Sequence, residues 1–180
     1  GENEQSKEHL LQAIKFKPEF PQAHFHLALL LIDMSDNKSA QEHFSKAIEL
    51  DQNFADAHFE YGLLLIDLEN YEEAKNNFVT ATDIDQNYSQ SYYHLAKLLI
   101  DPEDYEKAKK NYLIAIDINE NLAEAHYYLG KLLLGGLQND KDGTLIKRPE
   151  YDDAIIHLKK AISIRKKYAK AHYNLALIYK

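Results

Sequence analysis

The sequence predicts an all-α fold, a solenoid of antiparallel helix pairs, and three observations predict it. Phe20, Phe54, Tyr88 and Leu122 recur at a spacing of 34, and Tyr168 follows 46 further on, one more period carrying a 12-residue insertion. Self-similarity at this scale marks a repeat architecture, whose units contact mainly their neighbours. Within one period, Ala55 to Tyr88, two amphipathic segments of about a dozen residues flank the polar turn Glu69-Asn70. Small residues return at fixed places in every period, which is what close approach of helix backbones requires.

The elements follow in order. Residues 5–17 read as the second helix of a truncated repeat, with Leu10, Ala13, Ile14 and Phe16 on its packed face. Pro18 and Pro21 punctuate the next turn, and Pro21 suits the first position of a helix because its missing N–H is not needed there. Helices are then expected to pair as 21–33 with 37–50, 55–68 with 71–84, 89–100 with 103–118, and 122–135 with 151–164. A last first-type helix begins near Tyr168. One solenoid domain over 1–180 results: a half repeat 5–20, repeats 21–54, 55–88, 89–122 and 123–168, and a half repeat 169–180. A half repeat at each end leads us to expect an excerpt from a longer array, or an open end covered by another copy.

With positions counted from Ala55, position 8 is Ala28, Gly62, Ala96, Gly130 and Ala176. Position 20 is Ser6, Ala40, Ala74, Ala108 and Ala154, and position 27 is Ala13, Ala47, Ala81, Ala115 and Ala161. Position 24 is Leu10, Phe44, Phe78, Tyr112 and Leu158. A bulky side chain at the small positions would overpack the contact, at a cost of roughly 1–3 kcal/mol. On these residues the chain resembles the tetratricopeptide repeat family over essentially its whole length. It departs at position 4, where His24, His58, Tyr92, His126 and His172 stand in place of Trp, and at position 32, where Pro survives only as Pro18. The resemblance implies a right-handed superhelix whose first helices line a concave face.

Composition bounds the function. Apolar content of 45% with 28% charged residues is globular. No run approaches 18 apolar residues, so no membrane span is expected, and no secretory signal is read. Cysteine is absent, which removes thiol chemistry and leaves the compartment undetermined. The net charge of −8 is uneven: residues 1–90 carry 6 Lys/Arg against 17 Asp/Glu, and residues 91–180 carry 15 against 12. This asymmetry argues against general nucleic-acid binding, which needs a continuous basic face. It suits orientation of a partner, head-to-tail alignment of copies, or a merely solvated surface.

The resemblance also implies which residues face a ligand. Position 5 presents a ring in every unit, as Phe25, Phe59, Tyr93, Tyr127 and Tyr173. Position 9 is Leu29, Leu63, Lys97, Lys131 and Leu177, position 12 begins Ile32, Ile66, Ile100 and Leu134, and position 13 gives Asp33, Asp67 and Asp101. Rings and branched aliphatics suit a groove for a peptide or helix, because they bury large apolar area with few torsions to freeze. The acidic row would meet basic groups, and Lys97 and Lys131 an acidic group of the ligand. The same rings can instead pack sideways against neighbouring helices. If they anchor a ligand, truncating Phe59 and Tyr93 should weaken binding with little loss of helicity. The Lys/Asn clamp by which one subtype captures chaperone tails is missing, since position 5 is always aromatic.

Two other features carry less. The insertion, residues 135–150, holds Asp140-Lys141-Asp142-Gly143, which reads as a tight Asp-Gly turn: a calcium loop would need a first ligand and a terminal Glu that are missing. Lys147 and Arg148 make a small basic patch there. Four of the nine His share position 4 in different units, whose equivalent helices lie about 8–10 Å apart or more, so they cannot converge on a metal without other ligands. No phosphate loop, nucleophile elbow or zinc-protease motif occurs in the sequence. The expectation is a non-enzymatic interaction module without cofactor or metal, binding a protein or peptide in its groove. The alternatives are a scaffold self-associating through open repeat ends, and a regulator of an enzyme fused elsewhere.

Overall fold

Each amphipathic segment becomes one helix because its apolar residues fall at i, i+3 and i+4, which puts them on one face. The computed structural model describes residues 1–99, 101–135 and 150–180. Two compact units make up the chain, Gly1–Asn87 and Tyr88–Lys180. The first holds α1 (Glu2–Phe16), α2 (Pro21–Asp33), α3 (Asn37–Leu50), α4 (Ala55–Asp67) and α5 (Tyr71–Ile84). The second holds α6 (Ser89–Leu98), α7 (Tyr105–Ile118), α8 (Ala123–Gly135), α9 (Tyr151–Ile164) and α10 (Ala169–Ile178), with a 3-10 turn at Pro102–Asp104 before α7. Within each unit every helix packs on the next in sequence. No strand occurs among the described residues, so the α-solenoid class read from the repeat is the one found.

Helix bounds agree with the periodicity except at particular ends. α1 begins at Glu2, ahead of the expected residue 5, and α6 stops at Leu98. Ile100 and most of the insertion, including Asp140 to Gly143, Lys147 and Arg148, lie outside the described residues. Glu150, just before α9, is tied back to α7: the Tyr105 hydroxyl donates to it at 2.6 Å, and Lys109 pairs with its other oxygen.

The core of each pair is built from the small positions. Ala40, Ala47, Ala74, Ala81, Ala115, Ala154 and Ala161 are fully buried, as are Phe44, Phe78 and Leu158. Position 8 is small for a measurable reason. A Cβ on Gly130 would stand 2.9 Å from Leu158 Cγ and 3.1 Å from the Ala154 carbonyl oxygen, and one on Gly62 would stand 2.8 Å from the Phe78 ring.

Three local devices turn the chain. Ser35 and Glu69, one period apart, take left-handed φ of 62° and 60° after α2 and α4. The following amides reach back five residues, Asp36 N to Leu31 O and Asn70 N to Leu65 O, both at 2.8 Å, which closes a Schellman motif. Left-handed backbone costs an L-residue about 1–2 kcal/mol. Ser35→Gly and Glu69→Gly should therefore each raise stability by about 1 kcal/mol, read as a higher urea midpoint. Asp36 caps α3 by accepting from Ser39 N at 3.2 Å. Between repeats, Asp51, Asp85 and Asn119 each accept from the amide two residues on, at 3.0, 2.9 and 3.1 Å. These Asx turns do the work of the prolines missing at the neighbouring position.

Candidate interaction face

The first helices, α2 and α4 in one unit and α6, α8 and α10 in the other, carry every residue that the sequence assigns to a ligand face except Asp101, which lies just beyond α6, and Ile100, which lies outside the described residues. Their rings at position 5 turn inward. Phe25 and Phe59 are 8% exposed, and Tyr93 and Tyr127 are 6% exposed. Phe25 packs on Phe44 and Phe54 at centroid separations of 6.0 and 4.9 Å, and Phe59 on Phe78 at 5.8 Å. Tyr93 packs on Tyr112 at 6.3 Å and Tyr127 on Tyr168 at 4.9 Å. Truncating Phe59 or Tyr93 therefore removes core packing, contrary to the expectation of little loss of helicity. Tyr173, on α10, differs in being 64% exposed.

What the rings leave at the surface is a mixed row. Asp33, Asp67 and Asp101 are exposed, and Leu29, Leu63, Ile32 and Ile66 are half-buried. In the second unit Lys97 and Leu134 are half-buried and Lys131 is exposed. The first unit adds Glu60, whose carboxyl is pushed up by burial and by Asp56, and the second adds Tyr128, which rests on Tyr93 and Tyr127 at 5.8 and 5.0 Å. Sequence reasoning passed over Tyr128. Its place one residue after Tyr127 was visible, but not that it bridges two repeats.

The histidines at position 4 have a structural task. Nε2–H of His24, His58, His126 and His172 donates to the carbonyl six residues earlier, Pro18, Gln52, Glu120 and Lys166, at 3.2–3.3 Å. For His24 and His126 that tautomer leaves Nδ1 to accept from the facing ring, His43 Nδ1 at 2.9 Å and His157 Nδ1 at 3.0 Å. His58 Nδ1 lies 2.9 Å from Asn77 Oδ1. The rings of His24, His58 and His126 thus tie the inter-repeat turn to the second helix of their own repeat. Burial first, and then the facing imidazole, holds His43 and His157 below the usual histidine value. No cluster of three or more His, Cys, Asp or Glu able to hold a metal occurs among the described residues, and no helix there is long and apolar enough to cross a membrane.

Comparison with known proteins agrees with this architecture. Family profiles described as tetratricopeptide repeat match residues 31–99 and 89–122, and one described as TPR repeat matches 144–180. The chain is a tetratricopeptide repeat protein. Among solved structures it is similar to YrrB, described as "a TPR protein with an unusual peptide-binding site", at 25% identity and TM-score 0.76, over 94% of this chain and 81% of that one. It is also similar in fold to MamA of Desulfovibrio magneticus RS-1, at 19% identity and TM-score 0.73, over 93% and 88% of the two chains. The pilF protein of Pseudomonas aeruginosa is similar at 22% identity and TM-score 0.69, over 98% and 83%. No curated protein matches. Such repeat proteins are typically protein-interaction modules without catalysis of their own.

Proposed function

We propose that the chain is a non-enzymatic protein–protein interaction module that binds a peptide or helix on the face of its first helices. One observation carries the reading: that face is apolar beneath and charged at its surface. Half-buried Leu29 and Leu63 stand one helical turn after buried Phe25 and Phe59, and exposed Asp33 and Asp67 one turn further on. Half-buried aliphatics give contact area with little ordering cost, and the carboxylates give orientation. The likeness to YrrB, described as having a peptide-binding site, supports the same reading.

The test uses surface residues, because the buried rings also hold the fold. Peptides selected from a random display library on the whole chain should lose affinity at least about tenfold with Leu63→Gln or Asp67→Lys, the size expected for one good contact. Val79→Lys, on the exposed side of α5, should leave binding unchanged. Equal losses at Val79 and Leu63 would place the ligand elsewhere.

A second reading is end-to-end self-association. Phe16 on α1 is 82% exposed, and Leu177 and Tyr179 at α10 are 56% and 63% exposed. Heterologous contact between two such patches makes rings or filaments. Sedimentation velocity at rising concentration would then show mass growth that Phe16→Asp or Leu177→Asp abolishes.

A further inference from the structure

The second unit carries lysine, Lys97 and Lys131, at the position where the first unit carries leucine. Position 9 is Leu29 in α2 and Leu63 in α4, but Lys97 in α6. The Lys97 ammonium stands over two rings at once, 5.4 Å from the centroids of Tyr93 and of Tyr128. Those rings are fixed from behind. Tyr128 lies nearly parallel to Tyr112, at 6.5 Å and 10°, and meets Tyr127 edge-on at 5.0 Å and 75°. Asn174 of α10 hydrogen-bonds the Tyr127 hydroxyl from the other side. The result is a half-buried cation held at a defined point on an aromatic wall.

Among the described residues that cation has no counter-charge paired to it. Lys97 is in none of the ion pairs seen there, such as Lys107–Asp104, Lys109–Glu150 and Arg165–Glu124. Glu124, the acid on the adjoining first helix, is held by Arg165. Burial, and after it the nearby Lys170 of α10, lowers the Lys97 pKa. Ring faces attract a cation by about 0.5–2 kcal/mol but do not neutralise it. An incoming anion would, with hydrogen bonds strengthened by both charges.

We propose that Lys97 and Lys170 form an anion subsite on the first-helix face of the second unit, which takes the side-chain carboxylate of an acidic peptide. Lys131, exposed on α8, adds charge to the same face. One feature selects a short acidic peptide over a longer polyanion: the tyrosines around Lys97 match apolar side chains flanking a single acid. The inference rests on the peptide-binding reading above and specifies the ligand chemistry at one part of that face.

Random twelve-residue peptides displayed against the whole chain give the test, followed by anisotropy titration of labelled selected peptides and of versions with Asp and Glu replaced by Asn and Gln. The selected set should be enriched in Asp and Glu. Removing the acid, or Lys97→Met, should weaken binding about tenfold or more, as loss of a charged hydrogen bond implies. The amide version should bind Lys97→Met and wild type equally. Lys170→Gln, at an exposed position, should give a smaller loss, and it decides the matter if Lys97→Met proves misfolded by circular dichroism. Lys107→Met, on α7, should have no effect. Selected peptides without acidic residues, or acidic peptides indifferent to both lysine changes, would overturn the subsite and leave the peptide-binding face standing. Failure to select any peptide would overturn both.

Discussion

Replacing Phe78 with Ala is expected to cost about 3–5 kcal/mol of stability, the range for truncating a fully buried ring. Phe78 has no exposed surface, and it fills the space between α4 and α5. Phe59 lies against it at 5.8 Å, and the α4 backbone at Gly62 comes so near that a Cβ there would be 2.8 Å from the ring. Gly62 offers no side chain to collapse into the cavity, so relaxation is limited. Urea unfolding followed at 222 nm should show a large fall in midpoint for Phe78→Ala and a change within about 0.5 kcal/mol for Val79→Ala, its exposed neighbour. Gly62→Ala alone should be destabilising, since overpacking costs roughly 1–3 kcal/mol against a helix-propensity gain of about 1 kcal/mol. In the Phe78→Ala background the same change should cost less or stabilise, because the added methyl then enters a cavity. Additive effects would show that the two residues do not share this contact.

Acid should weaken the fold well before the carboxylates titrate. His94 is held at about 4 by burial and by Lys97, and His43, His126 and His157 are lowered with burial as the first cause. A folded-state value below the unfolded one, about 6.5, means that the unfolded chain binds more protons between the two. Stability from these groups is therefore complete above pH 6.5 and is lost as pH falls below it. His94 alone contributes about 1 kcal/mol of loss by pH 5.5 and about 3 kcal/mol by pH 4. The facing pairs act in the same direction: at 2.9 and 3.0 Å between Nδ1 atoms, one proton fits between the rings and two do not. Glu60, whose value is raised, works the other way at lower pH. Urea midpoints at pH 7.5 and 5.5 should differ clearly, and His94→Gln should shrink the difference. A midpoint that rises on acidification over this interval would contradict the assignment.

Much of the fold was legible because the repeat forces it. Ala47, Ala81, Ala115 and Ala161 return at one position, and only small residues fit where a helix backbone meets a ring such as Phe78. The turns were less legible. Ser35 and Glu69 adopt a conformation usually taken by Gly, and nothing in their chemistry announces it. Asp51, Asp85 and Asn119 did carry a signal, an Asx residue once per period, that looking for proline obscured. The ligand face was legible as a set of positions but not as a surface. Periodicity places Phe25 and Phe59 on a first helix, but not whether a ring points outward or down onto Phe44 and Phe78, because both lie on the same arc of the helix. The histidines show the same limit. Their spacing was plain, and their partners His43, Asn77 and His157 also recur in register, but only packing joins position 4 to them.

The most direct measurement of the interaction reading is amide chemical-shift mapping of the isotope-labelled chain as a selected peptide is titrated in. Shifts concentrated on the first helices of a unit, on α2 and α4 around Leu29, Leu63 and Asp67 or on α6 and α8 around Lys97, are the result predicted for a ligand lying on a first-helix face. Shifts confined to α3, α5, α7 and α9, or to the exposed ends at Phe16 and Tyr179, would contradict it.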